Sequence, residues 1–329
     1  MKPVIAITIG DMNGIGPEIA LKTAIHRSVQ ALCTPVLVGP LSVFEHVRAG
    51  LRITVPLQKA AAMLPKGRVI PVQDVGDGIW ADVEYGKPTR ASGKTAGSAI
   101  EAAVNLCLAG KAQAMVTAPA SKEALRLAGY HFPGQTEMIA LLSRSTRVAM
   151  MLVSDEMRVG LVTIHVPLRE VPDRVTREKI VEKLDILNDS LKRDFRIKKP
   201  RIAVLGLNPH AGERGIIGSD ETNALQPALE EAQSRHIQAE GPFPADGFFG
   251  SKQYRSFDAI LAMYHDQGLI PLKLLSFGKA VNFSAGLDLI RTSPDHGTAY
   301  DLAGQGVARI DSMIEAVRLA VTIFRNRHD

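Results

Sequence analysis

Short apolar runs alternate with longer stretches of helical periodicity along the whole chain, and that alternation leaves few architectures open. The runs at 4–9, 34–38, 114–117, 147–153, 158–164, 201–207 and 259–263 predict strands. Helical spacing at 17–24, 97–109, 176–191 and 225–232 predicts the helices between them, and 310–324 predicts one that closes the fold. Pro17 at a first helical position with Glu18 in the first turn is a strong start signal. Strand and helix in turn build βα units around a mainly parallel sheet, so the fold class is α/β. Residues 50–95 read differently. They are rich in Gly and Pro, hold short β-like pieces at 53–56 and 69–72, and predict an excursion from the sheet.

The chain has 329 residues, enough for one large α/β unit or two domains, and 46% hydrophobic residues supply a core. Its net charge of +5 is scattered rather than massed, which suits an anionic small molecule. No aromatic-rich basic ribbon or helix-turn-helix pattern is present, so nucleic acid is not an expected partner. Cys33 and Cys107 each sit in apolar surroundings and read as buried, reduced thiols. No apolar run reaches the roughly 18 residues that a membrane helix needs, and no signal segment leads the first strand. A cytoplasmic protein with no membrane contact is expected.

Of the nine histidines, three share one setting. His165, His210 and His265 each follow the C-terminal end of a predicted strand. In an open parallel sheet those ends line the crevice where ligands bind. One such histidine is ordinarily a hydrogen-bonded loop residue. Three make a nitrogen site with positions left for water or substrate, provided the strand order brings them together. Asp266, beside His265, can orient an imidazole from behind. His26, His46, His236 and His328 lie in helical or terminal stretches and are expected to have no such role.

Anion and cofactor signals are weaker. Gly14 and Gly16 join the first strand to the first helix, where backbone N–H groups favour an anion. Ile19 stands where a Rossmann fingerprint needs its third glycine, so a tight packing turn is an equal reading. Gly93-Lys94-Thr95 resembles the end of a P-loop, but Pro88 occupies the glycine position and no strand leads in, which argues against a nucleoside triphosphatase. Lys273, Asn282 and Arg291, in or beside short strand-like pieces, offer a point charge, an amide and a planar fork that suit a phosphate monoester. Solvated surface charge is the alternative. The 296–306 stretch surrounds His296, Gly297 and Asp301 with small residues, as an adenine and ribose site requires, or as a plain loop–helix junction does.

Taken together, Gly10–Glu18, Thr117-Ala118-Pro119 with Lys122, Phe132-Pro133-Gly134 with Thr136-Glu137, His165-Val166-Pro167-Leu168, Leu207-Asn208-Pro209-His210-Ala211-Gly212-Glu213, Pro244-Ala245-Asp246, Met263-Tyr264-His265-Asp266-Gln267-Gly268 and Arg291 through Thr298 resemble the PdxA family over essentially the whole chain. These are the 4-hydroxythreonine-4-phosphate dehydrogenases. The resemblance implies the two-domain α/β/α fold of isocitrate and isopropylmalate dehydrogenases, without a Rossmann motif. It places 1–125 with 285–329 in one domain and 126–284 in the other, with a substrate and metal cleft between them. It makes His165, His210 and His265 ligands of a divalent metal (Zn, Mg, Mn or Co). Gln135, Thr136, Lys273, Asn282 and Arg291 become substrate contacts. Gly14, Gly16, His296, Gly297 and Asp301 become the NAD contacts, and Lys122, Asp246 and Asp266 enter the catalytic set. A homodimer with the site at its interface is implied as well.

One position departs from the family pattern. Gln135-Thr136 stands where the family usually has His-Thr. Glutamine exchanges hydrogen bonds but carries no proton or positive charge near neutral pH. The departure favours a 4-phospho-D-threonate dehydrogenase, giving dihydroxyacetone phosphate and CO₂, over the amino-acid substrate of pyridoxal phosphate (vitamin B6) biosynthesis. A phosphate acyltransferase and a non-catalytic phosphometabolite-binding protein are the readings from other classes.

Overall fold

The computed structural model of the chain describes residues 2–60, 69–76 and 82–328, which divide into two compact units. The first comprises Met1–Thr146 and Leu287–His328, the second Arg147–Gly286. In the first, β1 (Val4–Thr8), β2 (Thr34–Val38), β3 (Leu57–Lys59), β4 (Ile70–Gln73) and β5 (Ala114–Thr117) run parallel in the order β3-β4-β2-β1-β5. Ile5, Ala6, Ile7, Ala114, Met115 and Val116 are fully buried, as unbroken apolar runs in a two-sided parallel sheet must be. The helices of this stretch are α1 (Gly16–Ile25), α2 (Arg27–Leu32), α3 (Leu41–Gly50), α4 (Arg90–Leu108), α5 (Lys122–Leu127) and α6 (Gln135–Leu142). The Thr89 and Ser92 side chains cap α4 reciprocally.

Two expectations change here. Part of 50–95 joins the sheet, because β3 and β4 extend it on one side, with 57–59 in place of the expected 53–56, whereas 82–89 form no strand. Residues 61–68 and 77–81 of that stretch lie outside the described residues. The domain junction also falls at Thr146, later than the expected 125/126, because α5 and α6 pack on α4. Gly93 makes that contact possible: a Cβ there would collide with the Ala124 carbonyl. Gly93-Lys94-Thr95 is therefore the inside of a helix, not a phosphate loop.

The second unit holds β6 (Ala149–Val153), β7 (Arg158–Leu161), β8 (Arg201–Leu205), β9 (Gln238–Phe243), β10 (Ala259–Ala262) and β11 (Val281–Ala285), ordered β11-β6-β7-β10-β8-β9. The pairs β11/β6 and β6/β7 are antiparallel, whereas β7, β10, β8 and β9 are parallel. Its helices are α7 (Val171–Arg174), α8 (Arg177–Arg193), α9 (Gln226–Ser234), α10 (Ala245–Gly250) and α11 (His265–Ser276). Ile180, Val181, Leu184, Leu187 and Leu191 bury one face of α8. Phe243, Phe248, Phe249, Tyr254 and Phe257 pack together beneath β8 and β10. The chain then returns to the first unit as β12 (Arg291–Pro294), parallel to β5, and α12 (Asp311–His328), which covers β12 and β5. Cys33 is buried, Cys107 is half-buried, and burial pushes both thiols up to about 12. Among the described residues no helix is long and apolar enough to cross a membrane.

Candidate functional site

Strand order in the second unit answers the question that the histidines pose. β7, β10 and β8 are neighbours and run the same way, so the segments carrying His165, His265 and His210 leave one edge of the sheet side by side. The His165 and His265 ring centroids lie 5.8 Å apart, inclined at 37°. That leaves room between them for one ion with metal–nitrogen bonds of about 2.0–2.1 Å. Asp266 Oδ1 is 2.7 Å from His265 Nδ1. A carboxylate in that place accepts from an Nδ1–H, the tautomer in which Nε2 faces away from the carboxylate as a ligand atom. His165 and His265 line a cleft of about 230 Å³ with Thr163, Ile164, Leu168 and Tyr264.

The loops are fastened behind the rings. Thr163 donates to the Met263 carbonyl from its backbone N–H at 3.1 Å and from its hydroxyl at 2.8 Å. Gln267 accepts from the Met263 N–H at 2.7 Å and donates to the Gly206 carbonyl at 2.6 Å, tying the end of β10 to the end of β8.

His210 is held differently. It belongs to a turn, Pro209–Gly215, in which His210, Ala211, Gly212, Glu213 and Arg214 all have left-handed backbone, with φ from 42° to 76°. Each non-glycine residue there costs on the order of 1–2 kcal/mol relative to right-handed backbone. His210 is exposed, and among the described residues no three metal-ligating side chains are grouped. The structure thus brings two of the three imidazoles together and places the third on the neighbouring strand end.

Three more expected residues lie in this unit. Lys273 stands on α11, not in a strand-like piece, because the helix that His265 begins runs on through Ser276. Asn282 is on β11, and its Oδ1 is buried without a hydrogen-bond partner among the described residues. Asp246 is exposed in the first turn of α10.

In the first unit, Arg291 opens β12 and is only 3% exposed. Its Nε and one terminal nitrogen donate to Thr117 Oγ1 at 3.1 and 2.8 Å, and the other terminal nitrogen donates to Thr136 Oγ1 at 3.2 Å. Gln135 Oε1 is 3.4 Å away. Burial lowers the guanidinium to about 10, opposed by the Glu137 carboxylate. Three expected substrate contacts are therefore one cluster, to which the structure adds Thr117, the last residue of β5. A hydroxyl at a parallel strand's C-terminal end was the available signal. Lys122 is the first residue of α5 and is exposed.

The first turn belongs to packing. A Cβ on Gly14 would lie 2.6 Å from the Thr298 carbonyl oxygen, and one on Gly16 would strike that of Ile9. The Ile15 N–H donates to Thr298 O at 3.0 Å, and Tyr300 donates to buried Asp11 at 2.8 Å. Lys22 donates to Glu18 at 2.6 Å and to the Gly306 carbonyl at 2.9 Å, so α1 grips the far end of the 296–306 loop. A cleft of about 180 Å³ opens beside this contact, lined by Gly14, Glu18, His46, Tyr85, Gly304 and Gly306. His296, Gly297 and Asp301 are exposed on the same loop, outside that lining. His46 and Tyr85 had no sequence signal, since both come from segments far from any recognisable motif.

The family model for pyridoxal phosphate biosynthetic protein PdxA matches residues 31–320. The chain belongs to the PdxA family. A PdxA relative from Geobacter metallireducens, called 4-hydroxythreonine-4-phosphate dehydrogenase, is 45% identical over 332 residues, covering 98% of this chain and 96% of its own. A relative of the same description from Bacteroides thetaiotaomicron is 43% identical, over 98% of this chain and 89% of its own. The crystal structure of the Klebsiella pneumoniae 4-hydroxythreonine-4-phosphate dehydrogenase, 38% identical, matches with a TM-score of 0.87 over 98% of both chains. As a PdxA protein, the chain is an oxidoreductase of the dehydrogenase class, acting on a CH–OH group.

Proposed function

We infer that the chain oxidises 4-hydroxythreonine-4-phosphate with NAD and a divalent metal ion. The relatives' descriptions support the amino-acid phosphate over the 4-phospho-D-threonate that Gln135 favours. The observation that carries the metal-dependent reading is the His165–His265 pair with Asp266 set on Nδ1.

Imidazole donors suit zinc or cobalt better than magnesium or manganese, which prefer oxygen. His165 and His265 would hold the ion, with His210 as the third ligand. When bound, the ion would supply Lewis-acid polarisation of the substrate hydroxyl and NAD would supply the hydride acceptor for an oxidation that leads on to decarboxylation. The chain's own groups have separate tasks. Asp266 fixes the tautomer of His265. In the first unit Arg291, backed by Thr117 and Thr136, offers a planar fork suited to a phosphate. In the second unit Lys273 offers a point charge to an anionic substrate. Asn282 Oδ1, buried and without a hydrogen-bond partner among the described residues, accepts from a substrate hydroxyl or ammonium group. Lys122 and Asp246, both exposed, are the groups assigned to proton transfer. Gly14 and the 304–306 turn would hold the dinucleotide, with His296, Gly297 and Asp301 exposed on the same loop.

A second copy of the chain covers the outer face of α11, where Ile270 and Leu274, with Phe277 just beyond, present exposed apolar side chains around Lys273. Light scattering then reports a dimer.

NADH absorbance with 4-hydroxythreonine-4-phosphate and with 4-phosphothreonate, each with and without chelator, is the test. Chelator-sensitive NADH from the amino acid is expected. No NADH from either compound would sink the reading, and a clear preference for phosphothreonate would return the substrate to the Gln135 argument.

A further inference from the structure

Glu221 is 2% exposed and lies at the start of the π-helical turn Glu221–Leu225, ahead of α9. Its Oε1 accepts from the backbone N–H groups of Leu207 and Asn208 at 2.9 and 2.7 Å. Its Oε2 accepts from Asn208 Nδ2 at 3.0 Å, and Asp220 accepts from the same amide at 2.8 Å. The carboxylate also fills the inner side of the left-handed turn, since a Cβ on Gly212 would collide with Oε2. On the other flank, a Cβ on Gly218 would lie 2.7 Å from Asn208 Nδ2. One buried carboxylate therefore fixes the two residues that precede Pro209-His210 and occupies the hollow of the turn that carries the imidazole.

We propose that Glu221 is a positioning residue for metal binding: it sets the direction of His210 by holding the left-handed turn, without touching the ion. The proposal rests on His210 being the third ligand, as inferred above. Left-handed backbone through alanine, glutamate and arginine persists only where its surroundings over-determine it. Glu221 supplies those surroundings. A carboxylate presents acceptors alone, which is what three converging N–H donors require. Glutamine would turn an amide donor towards one of them.

The test is Co²⁺ titration of the full-length, metal-stripped protein, followed by the visible absorption of the bound ion. Wild type, H210A, E221Q and E221A are compared, with circular dichroism, NAD affinity and kcat at rising Co²⁺ measured on each. Both Glu221 variants should bind Co²⁺ about 10- to 100-fold more weakly, the range seen when groups behind a ligand are removed. Their NAD affinity should be unchanged, and saturating Co²⁺ should restore kcat. If E221A does not fold, E221Q decides. Folded E221Q with a Co²⁺ affinity within about twofold of wild type overturns the proposal. If H210A is weakened and E221Q is not, Glu221 alone loses its role. If H210A binds like wild type, His210 is not a ligand and this proposal falls while the metal reading stands; if wild type binds no Co²⁺, the metal reading fails and takes this proposal with it.

Discussion

The Tyr300 hydroxyl donates to Asp11 Oδ2 at 2.8 Å, joining the turn after the first strand to a loop nearly the whole chain away. Asp11 is fully buried and also accepts from the Asn13 N–H at 2.9 Å. Burial raises the Asp11 carboxyl above its ordinary value despite these bonds, and burial, then the bond to Asp11, raises the Tyr300 phenol. The pair fastens the 296–306 loop from inside. Tyr300→Phe should therefore cost about 1–2 kcal/mol of stability by removing one donor from a buried carboxylate. It should raise KM for NAD several-fold with a smaller change in kcat. A thermal melt and NAD titration check this, and an unchanged KM would remove the loop from dinucleotide binding.

The raised Asp11 carboxyl also sets a pH dependence. Between the ordinary carboxylate value and the raised one, the native state binds more protons than the unfolded chain, so stability falls as pH rises through that window. Above the raised value the whole penalty is present. Asp11→Asn removes it while keeping an acceptor for Asn13. Its melting temperature should equal or exceed the wild type's at pH 7, and the difference should shrink on acidification towards the ordinary carboxylate range. A difference that widens on acidification contradicts the assigned direction.

Arg291 should show stability and function pulling apart. Its charge is buried at a desolvation cost that holds the guanidinium near 10. Arg291→Met fills similar space without that cost, so the protein should be at least as stable. Losing the fork that faces Thr117 and Thr136 should cut kcat/KM for the phosphorylated acid by about 10³-fold or more, in line with removal of a buried charge contact. Arg291→Lys keeps the charge but not the planar geometry and should be nearly as poor. Steady-state kinetics with melting curves settles it. A stable Met variant with ordinary KM would take Arg291 out of the site.

How much of this was legible follows from which facts are local. Strand ends followed by histidines are local, and the adjacency of β7, β10 and β8 turned them into one edge. The left-handed backbone at His210 was not legible, because Ala211, Glu213 and Arg214 give no local reason for positive φ. The Arg291–Thr117 contact joins β12 to β5, and strand order between residues so distant cannot be read from periodicity. β3 and β4 do not read as sheet members because strands of three and four residues carry little pattern. The Gly14 and Gly16 turn was ambiguous, and the nearby Thr298 and Ile9 carbonyls explain both glycines by packing.

Asp266 should matter to the ion and not to the fold. It is 70% exposed, so Asp266→Ala should change stability by no more than about 0.5 kcal/mol. Without it the His265 ring loses its tautomer lock, and affinity for a divalent ion should fall about 10- to 100-fold. Metal titration beside a melting curve separates these effects, and an unweakened ion would leave Asp266 as surface charge.

Gln135 offers a test of substrate choice. It sits at the first position of α6, its Oε1 3.4 Å from Arg291 and its Nε2 3.4 Å from the Ala118 carbonyl, both long contacts that a substrate can replace. Neutral glutamine adds no charge to Arg291, whereas histidine at this position would bring a group that titrates near 6.5. In the wild type, the ratio of kcat/KM for 4-hydroxythreonine-4-phosphate to that for 4-phosphothreonate should therefore vary little with pH across that range, apart from the substrates' own ionisation. In Gln135→His the same ratio should acquire a step near the imidazole's pKa, because only one substrate carries an ammonium group for the imidazolium to repel. Parallel pH profiles in the two proteins would show that residue 135 does not sense the substrate's amine.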